Sequence, residues 1–71
     1  MEDWIVYYTC SYSYIIDSGK KMIETEHLRC TINCEESQIY DEIYKSMKED
    51  LAALGNYTIT GLVINEYHKN G

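Results

Sequence analysis

Two stretches rich in Tyr, Val, Ile and Thr, residues 4–16 and 21–33, stand on either side of Asp17-Ser18-Gly19. The length of the turn between them constrains the fold more than any other feature. The flanking composition is that of β-strands, and Asp, Ser and Gly are turn formers. Side chains alternate across a strand, so a slip of one residue moves every side chain to the other face of the sheet. A two-residue turn at Ser18-Gly19 sets Tyr8 opposite Arg29 and Cys10 opposite His27, which leaves neither face cleanly apolar. A three-residue loop, a type I turn followed by left-handed Gly19, sets Ile16 opposite Lys20, Tyr8 opposite Leu28 and Val6 opposite Cys30. Trp4, Val6, Tyr8, Cys10, Leu28, Cys30 and Ile32 then share one face, against Tyr7, Thr9, Ser11, Ser13, Thr25, His27, Arg29 and Thr31 on the other. Burial selects the three-residue loop.

Residues 35–54 carry Ile39, Ile43, Met47, Leu51 and Leu54 at steps of four, four, four and three, the stripe of an amphipathic helix. Asn33 fits the N-cap with Glu36 as its capping-box acid, and Gly55 fits the stop. Residues 57–67 form a last strand in which Tyr57 and Ile59 are in one phase and Leu62 and Ile64 in the other. A bulge at Gly61 returns both pairs to one face. The tail from His68 to Gly71 is expected to fray. One right-handed crossover through the helix places the first strand in the middle. The expected fold is therefore α+β, a single domain over residues 1–71: β-β-α-β, a three-stranded antiparallel sheet of order 2-1-3, with one amphipathic helix on its even-numbered face.

A chain of 71 residues buries only about 60% of its unfolded surface, so the core is thin. Eight Tyr and no Phe fill it, and each tyrosine hydroxyl needs a partner or water. At ~3.3 Å per residue the first strand is longer than the helix, so Tyr12 and Tyr14 are expected to project past it beside Asp17, Glu24 and Glu26. Six basic residues against twelve acidic ones leave a net charge of −6, which disfavours nucleic acid and anionic membranes as direct partners. The sequence has no apolar run of membrane-spanning length and no secretory pattern at MEDWIVYYTC. The expected location is the cytoplasm, where three cysteines are most simply free thiols.

His27, Cys30 and Cys34 have ligand chemistry for zinc. Strand alternation turns His27 and Cys30 to opposite faces, however, so no metal is expected. The same alternation separates Glu26 from His27, and no nucleophile has a base beside it and no Gly-rich phosphate loop is present. The chain thus reads as a non-enzyme without a cofactor.

What remains is binding. Glu35, Glu36, Asp41, Glu42, Glu49 and Asp50 on the helix stand against Lys45 and Lys48, an acidic strip softened by i,i+4 pairs such as Asp41 with Lys45. Such a strip is suited to a basic groove. The uncovered sheet face offers Tyr7, His27 and Arg29 together with Ile5 and Ile23, residue types found at interfaces.

In size, acidity, lack of a signature motif and Lys-, Asn-, Ile- and Tyr-rich usage, the chain resembles the small acidic phage-encoded inhibitors of bacterial defence systems, the anti-CRISPR type. The resemblance is of general type over the whole chain and carries across no functional residue. It implies a protein-binding inhibitor that occupies a basic, nucleic-acid-handling surface of a CRISPR or other defence effector in the host cytoplasm. The alternative is a structural homodimer or phage assembly module that buries the Tyr7 face.

Overall fold

The computed structural model describes all residues from Met1 to Gly71. Strand β1 (Glu2–Ile15) turns into β2 (Lys21–Cys34), a 3-10 turn (Glu36–Gln38) leads into helix α1 (Ile39–Leu51), a second 3-10 turn (Ala52–Leu54) ends it, and β3 (Tyr57–Lys69) closes the chain. Both pairings are antiparallel and the sheet order is β2-β1-β3, as the single crossover requires.

The hairpin has the register selected by burial. Val6 pairs with Cys30, Tyr8 with Leu28 and Tyr14 with Met22. The Ile16 amide donates to the Lys20 carbonyl at 3.0 Å, and the Gly19 amide donates to the Ile16 carbonyl at 2.8 Å, closing the type I turn. Gly19 adopts φ 86°, the left-handed conformation that a β-carbon disfavours. One local choice of backbone therefore fixes a ladder of fourteen residue pairs.

Helix α1 lies on the even-numbered face. Ile39, Ile43, Met47 and Leu51 are buried against Trp4, Val6, Tyr8, Cys10 and Tyr12, with Cys34 at one end. Polar atoms inside this layer have partners: Trp4 Nε1 donates to the Cys34 carbonyl at 3.0 Å, and the Tyr8 hydroxyl donates to Met47 Sδ at 3.7 Å. Leu54, read as the last member of the stripe, is instead 38% exposed. The 3-10 turn that contains it advances by three residues per turn and rotates it off the α-helical stripe.

The N-cap is Glu35 and not Asn33. Asn33 still belongs to β2, where its amide nitrogen donates to Asp3 Oδ1 at 2.7 Å. Glu35 forms the capping box with Gln38, whose Oε1 accepts from the Glu35 amide at 3.2 Å. Gly55 ends the helical segment with φ 78°.

Strand β3 stays in phase by bulging. The pairing steps from Ser11–Gly61 to Tyr12–Ile59, leaving Thr60 as the extra residue beside Gly61. Tyr57, Ile59, Leu62 and Ile64 accordingly all pack against the core. A second bulge, between the pairs Tyr8–Ile64 and Tyr7–Glu66, leaves out Asn65 and brings Tyr67 opposite Val6. The expected fraying of His68 and Lys69 does not occur: they pair with Ile5 and Trp4, and the Asn70 amide donates to the Asp3 carbonyl at 3.0 Å. The molecule is a slat of 46 × 17 × 17 Å. No helix is long and apolar enough to cross a membrane.

Candidate functional site

The structure sorts the candidate residues into three places. Along the helical segment, Glu35, Glu36, Asp41, Glu42, Glu49 and Asp50 are all exposed. The first two are engaged locally: Glu35 lies 3.7 Å from the N-terminal ammonium, and Glu36 Oε2 accepts the Tyr67 hydroxyl at 2.8 Å. That hydrogen bond raises the Tyr67 pKa. Asp41, Glu42, Glu49 and Asp50 make no hydrogen bond or ion pair with any side chain, and the expected Asp41–Lys45 pair does not form. Lys48 sits 5.3 Å over the Tyr44 ring, and Tyr44 stacks on Tyr40 at 6.3 Å.

Glu24 and Glu26 lie on the helix side of β2, opposite Tyr12 and Cys10. They stand at mid-strand and flank the helix instead of crowning the hairpin tip, where Asp17 is exposed. Tyr12, expected to project, is 8% exposed and belongs to the core. The helical segment runs from the Cys34 end back toward the hairpin end, where Ile15 donates to the Asn56 carbonyl at 3.2 Å, so Leu51 shares the core with Tyr12 while the tip itself stays exposed. The Tyr12 hydroxyl donates to Glu26 Oε2 at 3.0 Å, and its ring stacks at 6.1 Å on half-buried Tyr14. Burial, then this hydrogen bond and the charge of Glu26, push the Tyr12 pKa up to about 12. Burial likewise pushes Tyr8 up to about 12, with further contributions from Cys30, Asp50, Cys10 and Glu26. Burial raises the Cys34 thiol, helped by Glu42 and Glu35. Glu26 of β2 and Asp50 of α1 thus both act on buried Tyr8.

The third place is the open sheet face. Tyr7 is 37% exposed beneath Arg29, whose guanidinium is 5.9 Å from the ring centroid, and His68 lies 6.2 Å away on the other side. His27 Nδ1 meets the Thr9 hydroxyl at 2.9 Å, Asn65 donates to the same hydroxyl at 2.8 Å, and Ser11 bonds Thr25 at 3.1 Å. Polar cross-strand pairs therefore tie the centre of this face together. Around it stand apolar residues in water: Ile23 is 72% exposed, Val63 58% and Ile15 50%. Ser13, on the same face, is 7% exposed because its short side chain is flanked by Ile23 and Thr58 on the neighbouring strands. Val63 reaches this face because of the bulge at Thr60, and the bulge at Asn65 then returns His68 to it; the sequence pattern carried no signal for this second bulge.

The cysteines are separate free thiols. Cys30 and Cys34 lie four residues apart on one strand, about 13 Å, beyond disulfide reach. Burial raises the pKa of all three. His27 faces away from them, and no three His, Cys, Asp or Glu residues are placed to hold a metal ion. Compared with known protein families, curated proteins and solved structures, the chain matches none, so its function has to be read from this geometry.

Proposed function

We propose that this protein is a small acidic protein-binding inhibitor, not an enzyme, that docks on a basic, nucleic-acid-handling surface of its target. The anti-defence (anti-CRISPR) type, acting in the host cytoplasm, is the role that this reading favours. The observation that carries it is the set Asp41, Glu42, Glu49 and Asp50, exposed on one rigid helix and free of internal partners. Carboxylates already paired inside the chain offer a partner little; these four are unpaired, and their field extends into solvent. At physiological salt that field reaches about 8 Å, so it accelerates encounter more than it deepens the bound state.

Glu42→Lys with Glu49→Lys tests the proposal, since both residues lie off the buried stripe and the fold is kept. Association with the partner recovered from a bacterial lysate should slow, and the wild-type rate should fall as salt rises. Equal association rates for both proteins, with an affinity indifferent to salt, refute the charge reading. The exposure of Ile23 and Val63 on the open face favours a second reading, a homodimer through that face. Sedimentation that shows a salt-tolerant dimer, broken by Ile23→Lys, would establish it.

A further inference from the structure

The two outer strands of the sheet are not equivalent. In an antiparallel ladder, residues alternate between bonding the neighbour and turning both backbone groups away from it. The Ile16–Lys20 hydrogen bond sets the phase. Even-numbered residues of β2 bond β1, while Ile23, Thr25, His27, Arg29 and Thr31 turn their N–H and C=O groups to the free edge. This edge runs in unbroken register along the whole strand. The edge of β3 is interrupted twice, at Thr60 and Asn65, the kind of bulging that twists an edge away from further pairing.

We propose that the free edge of β2 accepts an extended basic segment of the partner protein as a fourth, outermost strand. Its backbone would bond the outward groups of Ile23, Thr25, His27, Arg29 and Thr31. Its alternate side chains would point to the helix side, where Glu24 and Glu26 line β2 and where Glu42 and Asp50 occupy the flank of α1 opposite Lys48, whose carbonyl accepts the Tyr57 hydroxyl of β3, so Lys or Arg fits there. Lys48 does not compete, because it is turned to Tyr44. On the open face the incoming residues lie beside Ile23 and Thr25, which suits small or branched apolar side chains. Charges on an edge strand guard against indiscriminate pairing. Here they also select, repelling acidic strands and admitting basic ones. A second copy is a poor occupant: a β2–β2 pair centred on Thr25 sets Glu24 against Glu26 of the copy, and every register joins two chains of net charge −6. The basic character of the segment rests on the acidic-face reading given above; the strand pairing does not.

The test uses the full chain, isotopically labelled, with a synthetic peptide that alternates Lys with Val and Thr over eight residues. Amide hydrogen exchange should slow at Ile23, Thr25, His27, Arg29 and Thr31, while the already bonded amides of Glu24, Glu26 and Leu28 change little. The same peptide N-methylated at alternate residues should lose the protection. Glu24→Gln with Glu26→Gln, which keeps an acceptor for the Tyr12 hydroxyl, should weaken binding about tenfold. No protection at millimolar peptide overturns the proposal. So does binding that shifts only the α1 carboxylates, an outcome that leaves the acidic-face function standing. Equal protection by a peptide with Glu in place of Lys overturns the basic partner while leaving the open edge as fact.

Discussion

Ile43→Ala asks whether one helix residue seals this thin core. Ile43 has no exposed surface and sits at the middle of the buried stripe of α1. The change deletes three carbons, worth about 2.4 kcal/mol at roughly 0.8 kcal/mol each, before any cavity penalty. Neighbours relax only partly, so the total falls at about 2–5 kcal/mol. A 71-residue domain has roughly 4–11 kcal/mol in all. The variant should therefore lose between about a fifth and all of its stability. At an unfolding entropy of about 150 cal/mol/K, a 3 kcal/mol loss lowers Tm by about 20 °C. Urea unfolding followed by the fluorescence of Trp4, 5% exposed, reads the change as a fall in midpoint at constant slope. The control is Ile23→Ala: the residue is 72% exposed on the other face, and the change should cost less than about 1 kcal/mol. Equal losses for the two variants would refute the assignment of the even-numbered face as the only packed one.

Gly19→Val should destabilise the fold by about 1–2 kcal/mol, because φ 86° forces a β-branched residue into the left-handed region. Amide-detected NMR of the wild type should show Tyr8 across from Leu28, and a Tyr8–Arg29 contact instead would overturn the register. Tyr8 and Tyr12 are raised to about 12 in the folded state from an ordinary 10, so the native form holds their protons more tightly. That contribution to stability is complete below pH 10 and is lost as pH rises toward 12. Absorbance of tyrosinate should show these two residues ionising last, together with unfolding, and Tyr12→Phe should flatten the pH dependence. The thiols of Cys10 and Cys34, 0% and 2% exposed, should resist a disulfide reagent in the native protein and react at once in urea. Immediate reaction of all three cysteines under native conditions would contradict the packed even face.

Periodicity, turn chemistry and the crossover rule determined the hairpin register, the helix stripe from Ile39 to Leu51 and the strand order, because each follows from the side-chain period of an element or from the connection between two elements. Gly19 set the loop, alternation set the faces, and a single crossover left one simple place for β3. Tertiary structure decided the rest. Asn33 is the better cap by residue type, but β2 runs on through Cys34 with the Asn33 side chain bonded to Asp3, so the cap falls at Glu35. Tyr12 reads as a projecting residue from strand and helix lengths, yet it is buried in one core with Leu51 at the end of the helix. The acidic residues were visible as a list, but Glu36 proved engaged by Tyr67 while Asp41, Glu42, Glu49 and Asp50 did not pair. Such pairing depends on distances across the fold, which no local pattern encodes. The asymmetry of the two sheet edges has the same origin. The bulges at Thr60 and Asn65 interrupt the edge of β3 and leave β2 as the only edge with an unbroken row of outward backbone groups.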